Sequence, residues 1–351
     1  MTYRVVGGTV AGLSILLLME LTGCVASEGK TTLPMQAILT SNVDSPSVIE
    51  ISSASDVEVL DTPAYDRQVI ILNTKDSMIW PIIGPHPLPG AILPFKRIIA
   101  YYGNLYSKGM GILGELPEEQ MVAKLQSEVE EWNAADTSTP AIPALHYIAV
   151  TAQPDPGKGN KYRLRMPFHQ IDKVLAIAEK IDALVFIDIQ VGHSTLEEEI
   201  PALENYLKLP NVHLGIDAEY SMKNGQVPCV AVGTFDAVDI NYAIRYLSDL
   251  VQRENIPPKM LIVHRFTNGM ITNSQKIKPT QEVQVVMHMD GFGDRPKKES
   301  SYRSYITRQP VQFTGFKLFY KNDARLSPNK RVMSPAEVLE LYPKPIYIQY
   351  Q

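Results

Sequence analysis

From Arg97 to its C-terminus the chain alternates short β-type runs with longer segments, and this rhythm restricts the fold more than any other feature. Eight runs have strand character: residues 97–103 (RIIAYYG), 142–150, 183–190, 212–220, 260–267, 283–291, 315–320 and 346–351. Between them lie PEEQMVAKLQSEVEEW from Pro117, then QIDKVLAIAEKI, LEEEIPALENYL and VDINYAIRYLSDLVQ, each with helical periodicity. Ser334-Pro335-Ala336-Glu337 is a capping box with proline in the first helical turn. Strands separated by helices pair in parallel, so residues 96–351 are expected to form an α/β fold, the (β/α)8 or TIM barrel. An open doubly wound sheet is the alternative. Two places fit the barrel less well: the short connection NGMITNSQKIKPT after the fifth run, and the missing helix after the eighth.

The first thirty residues, MTYRVVGGTVAGLSILLLMELTGCVASEGK, place Arg4 before an apolar run from Val5 to Leu18, followed by Leu21-Thr22-Gly23-Cys24. This order resembles the signal peptide and lipobox of a bacterial lipoprotein. The resemblance implies cleavage before Cys24, fatty-acyl (palmitate-type) modification of that cysteine, and an extracytoplasmic protein lipid-anchored to the bacterial cell membrane. Residues 1–23 are then the signal peptide and 24–60 a Ser/Thr-rich tether. Residues 61–95 are a lead-in that packs on the barrel; between residues 57 and 95 two runs, VEVL (57–60) and QVIILN (68–73), look like strands. Only Cys24 and Cys229 are present, so lipidation of the first leaves no disulfide to form. The chain has 351 residues, 45% of them hydrophobic, enough for one large core or two ordinary ones. A net charge of −5 and the absence of a long Lys/Arg run exclude a nucleic-acid partner.

Barrel active sites lie at the C-terminal ends of the strands. Polar residues gather at those ends here: Tyr102 on the first run, His146 on the second, Asp188 and Gln190 on the third, and Asp217 and Glu219 on the fourth. His264 and Arg265, His288 and Asp290, Lys317, and Tyr347 and Gln349 follow on the fifth to eighth. Strand alternation puts residues two apart on one face, so Asp217 and Glu219 are expected to point inward together, about 6–7 Å apart along the backbone. Acids that close shift each other's titration, and one can keep its proton near neutral pH, which is the state a general acid needs. Glycoside hydrolysis uses such carboxylates. The expected catalytic residues are Glu219, Asp217, Asp188 and Asp290. The expected substrate-binding residues are Tyr102, His146, Gln190, His264, His288, Lys317 and Tyr347. No cofactor or metal is assigned, and the expected partner is a glycan or other small polar ligand.

Two segments carry a family resemblance. GIDAEY (215–220) is similar to the end of the fourth strand in chitinase-type (family 18) glycoside hydrolases, which closes in Asp-any-Glu-Tyr, and VVMHMD (285–290) resembles their Met-any-Tyr-Asp segment. The resemblance implies that Glu219 is the proton donor, that Asp217 orients a substrate acetamido group and that Asp290 supports the oxazolinium-like intermediate. Met289 stands where that family has Tyr, and the eighth run offers Tyr347 in place of Trp. From AYYGNLYSKGMGILGEL onward the chain also resembles a bacterial lipoprotein family with a TIM-barrel domain. Sugar platforms are expected among Tyr101, Tyr102, Tyr106, Tyr220, Phe292 and Tyr320. Two other functions use the same mouth. One is a metal-dependent barrel hydrolase drawing on His146, Asp188, Asp217, Glu219, His264, His288 and Asp290; the other is a non-catalytic binding lipoprotein whose charges are satisfied around Lys317.

Overall fold

A computed structural model describes residues 59–351. The signal peptide, Cys24 and nearly all of the tether lie outside the described residues. Eight parallel strands form the barrel: β1 (Arg97–Gly103), β2 (Ala141–Ala152), β3 (Leu184–Ile189), β4 (Val212–Asp217), β5 (Lys259–Arg265), β6 (Val283–Met289), β7 (Phe313–Leu318) and β8 (Tyr347–Tyr350). Each pairs with its neighbours in order, and β1 pairs with both β2 and β8. That closure excludes the open sheet.

The helices pack outside, and the longer ones follow from local signals. Among the described residues α1 is Thr62–Asn73, α2 Glu118–Ala135, α3 Phe168–Glu179, α4 Ala237–Glu254 and α5 Arg295–Tyr302. The segment expected as one helix over 196–207 is instead three short turns, because Pro201 lacks the N–H that a continuous ladder needs. No helix follows β5. Its connection runs through Ile271–Thr272, which pairs with Phe235–Asp236, and a single 3-10 turn at Ser274–Lys276. The capping box at Ser334 forms, but it starts only one turn, Pro335–Val338.

Residues 68–73, expected as a strand, belong to α1. The Asp61 carboxylate accepts a hydrogen bond from the Ala64 N–H at 2.9 Å and Pro63 sits in the first turn, so start signals outweigh the β-branched run. This lead-in closes the lower end of the barrel. Tyr65, Leu72 and Leu93 pack with Ile98, Phe186 and Met260 in one buried cluster. Gln284, inside β6, exchanges hydrogen bonds with both backbone groups of Leu93 at 3.1 and 2.6 Å, which ties the Pro-rich segment across the opening. A second cluster, which includes Leu125, Trp132, Ile171 and Leu247, fills the space between strands and helices. Among the described residues no helix is long and apolar enough to cross a membrane. Cys229 is disulfide-bonded, against the expectation of no disulfide; the chain's other cysteine lies outside the described residues.

Candidate active site

Inside the upper barrel, polar side chains are stacked in three levels. The lowest comprises His146 (β2), His288 (β6), and Tyr347 and Gln349 (β8), all fully buried. His146 Nδ1 lies 2.6 Å from the Tyr347 hydroxyl, to which Gln349 Nε2 also donates at 3.0 Å. His288 stands edge-on to His264 and to Tyr347, each 5.1 Å away between ring centres. Small residues make room for these rings. A Cβ at Gly315 would fall 2.6 Å from His288 Nδ1, and one at Gly215 would fall 2.4 Å from Asp188 Oδ1 and 2.5 Å from His146 Nε2.

The middle level is a chain of ions. Lys317 Nζ contacts Asp290 Oδ1 at 2.9 Å, Asp290 Oδ2 meets His264 Nδ1 at 2.7 Å, and His264 Nε2 lies 3.5 Å from Asp188 Oδ1. Asp188 Oδ2 accepts from the Tyr102 hydroxyl at 3.2 Å, and that hydroxyl accepts from Gln190 Nε2 at 3.3 Å. The Lys317 ammonium also sits 3.8 Å over the Tyr102 ring. Burial alone would raise Asp188 and Asp290. The His264 charge, helped by His146, holds Asp188 well below the carboxylate range, and Lys317 with His264 does the same for Asp290. Burial would lower His264, but Asp188 and Asp290 raise it to about 10, so it is an imidazolium at neutral pH. Below it, burial drives His146 down to about 4 against the pull of Asp188, and burial together with the His264 charge keeps His288 neutral.

Asp217 and Glu219 form the top level. β4 ends at Asp217, and Ala218–Tyr220 is a 3-10 turn, so the alternation expected to carry Glu219 inward stops two residues early. The turn is capped by Asp217 itself, whose Oδ1 accepts from the Glu219 N–H at 3.0 Å. Glu219 is half-buried, and its carboxyl makes no hydrogen bond among the described residues. Burial raises Asp217 to about 7, opposed by His264 and reinforced by Asp188 and Asp290. Burial, then the Asp217 and Asp290 charges, push Glu219 up to about 8. The site therefore holds two fixed carboxylates below and, above them, two acids whose titration is pushed up, chiefly by burial.

The eleven residues expected at the site sort along this stack. Asp188, Asp290, His264, Lys317, Tyr102 and Gln190 form the ion level, while His146, His288 and Tyr347 lie beneath it, sealed from solvent. The aromatic expectations need two corrections. Tyr101 faces the helix layer, where its hydroxyl meets that of Tyr320 at 3.0 Å, so neither ring is a platform at the mouth. Tyr106 lies at the surface against His169, while Tyr220 and Phe292 are half-buried beyond strand ends. Arg265 points outward and binds the carbonyls of Thr267, Asn268 and Tyr305. Asp236 caps α4 through a capping box.

A cleft of about 380 Å³ opens beside the Glu219 turn, lined by His193, Ser194, Glu197, Ser221, Lys223 and Asp239 among others. None of the four acids lines it, although Ser221 and Met222 in its wall directly follow the turn. Gly215 and Gly315 were not among the expected site residues. The available signal was a glycine inside a buried strand, a mark of close approach by another group. No protein-family model matches this sequence, and a comparison with curated proteins returns no match.

Proposed function

We propose that this barrel is a glycoside hydrolase-like enzyme acting on a cell-wall or environmental glycan, with Glu219 as the proton donor. One observation carries the reading: Glu219, half-buried on the turn after β4, has a carboxyl that makes no hydrogen bond among the described residues, whereas Asp188 and Asp290 are paired with His264 and Lys317. Asp188 and Asp290 act as fixed negative charges that favour a positively charged transition state, and Asp290 also helps Glu219 keep its proton. Asp217, beside it, is the second carboxyl of the reaction. The cleft next to the turn is within the size range of ligand pockets and has hydroxyl and charged groups suited to a sugar chain. The test is to incubate the full chain with chitin, peptidoglycan and plain β-glucan oligosaccharides and separate the products. Cleavage of an N-acetylated chain is expected; intact oligosaccharides in every case would move the reading to a binding protein.

We further propose that the mature protein begins at Cys24 and is held on the bacterial membrane by lipid there, since two acyl signals suffice for stable attachment. A lipid thioether on Cys24 and a disulfide between the chain's two cysteines exclude one another. Mass analysis of the N-terminal peptide from membrane fractions separates them: a diacylglyceryl adduct is expected, and an unmodified Cys24 linked to Cys229 overturns the anchor.

A further inference from the structure

Among the described residues, the buried atoms of this stack without a hydrogen-bond partner are His146 Nε2, His264 Nε2 and Asp188 Oδ1, together with both ring nitrogens of His288, Asp290 Oδ1 and Gln349 Oε1; the first three face one another. Of these three, the two nitrogens lie 3.3 and 3.5 Å from the carboxylate oxygen, and all three atoms fall within 4.8 Å of one another. Buried polar atoms are nearly always paired, so an orphaned set facing a common point calls for an occupant. Nitrogen and oxygen ligands about 2.0–2.1 Å from a tetrahedral zinc stand roughly 3.3–3.4 Å apart, close to the two nitrogen–oxygen separations here.

The remaining atoms of the same residues are all occupied. His146 Nδ1 is held by the Tyr347 hydroxyl at 2.6 Å, His264 Nδ1 by Asp290 at 2.7 Å, and Asp188 Oδ2 by the Tyr102 hydroxyl at 3.2 Å. This is how metal-binding histidines are built: an outer partner fixes the ring and leaves the other nitrogen for the ion. Gly215 completes the case, because any side chain there would enter the space at Asp188 Oδ1 and His146 Nε2. The neighbouring set of His264, His288 and Asp290 is weaker, because Asp290 already serves Lys317 and His264.

We propose that His146 Nε2, His264 Nε2 and Asp188 Oδ1 bind one divalent transition-metal ion of the zinc class, with water completing its shell. Entry of the ion displaces the Nε2 proton of His264 to solvent, while its Nδ1–H stays on Asp290; nothing is oxidised or reduced. The ion would sit below the mouth acids, and the site does not depend on the glycosidase reading.

The test uses the full chain, stripped with a chelator and titrated with Co²⁺ alone, then with Zn²⁺ as competitor. The expected result is one equivalent of Co²⁺ with the visible absorption of a four-coordinate site, its loss on adding Zn²⁺, and a higher melting temperature with Zn²⁺ than with chelator. Asp188→Asn should abolish the cobalt spectrum. Should that variant not fold, Tyr347→Phe, which removes the hydroxyl against His146 Nδ1 and leaves Gln349 beside it, should weaken binding by about 10- to 100-fold. His193→Ala, outside the cluster, should bind as the parent does. No cobalt absorption and no zinc-dependent melting shift in the parent would overturn the site, as would full-strength binding in both Asp188→Asn and Tyr347→Phe.

Discussion

Glu219→Gln is expected to lower glycan turnover by about 10² to 10⁴, the usual worth of a positioned general acid, while leaving the melting temperature unchanged. The amide matches the carboxyl in shape, and among the described residues the Glu219 side chain makes no hydrogen bond that the change would break. The pH profile gives a second readout. Because Glu219 is pushed up to about 8, activity that needs its proton falls as pH rises through that value. Asp217→Asn removes one of the charges that raise Glu219, so the alkaline limb should move to lower pH. A structural role for Glu219 predicts the opposite pattern: unchanged turnover and a shifted melting temperature.

Asp290→Asn is expected to cost about 3–5 kcal/mol of folding stability, read as the shift of a urea-denaturation midpoint. Asp290 is the shared counter-ion of Lys317 and His264, and both side chains are almost fully buried. The neutral amide leaves an ammonium and an imidazolium facing each other without the charge between them. Replacing Lys317 as well, in Asp290→Asn/Lys317→Met, should recover part of the loss, because the unpaired buried charge is then gone. If the double variant is as unstable as the sum of the two single ones, the pair is not coupled as described. These two variants separate the levels of the stack: the upper acid affects turnover without stability, and the ion level affects stability first.

The barrel was legible because its evidence is periodic. β1 is found where RIIAYYG placed it, and β6 begins at Val283 as expected, since a buried parallel strand reads as an apolar run bounded by turn residues. Alternation likewise placed Tyr102, His146, Asp188, His264, His288, Lys317 and Tyr347 in the interior. It failed where the strand ended sooner than its apolar run: Glu219 reaches the mouth on a 3-10 turn capped by Asp217, a local hydrogen bond that periodicity does not encode. Propensity misled at residues 68–73, where Val69, Ile70 and Ile71 favour a strand but the start signals at Asp61 and Pro63 and packing of Tyr65 and Leu72 under the barrel decide for a helix. That His146, Asp188 and His264 share one end of the barrel was legible from the strand ends, but not which of their atoms meet, because the space they share depends on an absent side chain at Gly215.

The claim that most of this rests on is that Glu219 carries its proton at neutral pH. It can be measured without any substrate, by following the side-chain carboxyl carbon of ¹³C-labelled Glu219 through a pH titration of chelator-treated protein, with Glu219→Gln identifying the signal. A midpoint near 8 is expected, with the carboxyl still protonated at pH 7. A midpoint at the ordinary glutamate value, about 4.3, would contradict the account, because an acid already ionised at neutral pH cannot be its proton donor.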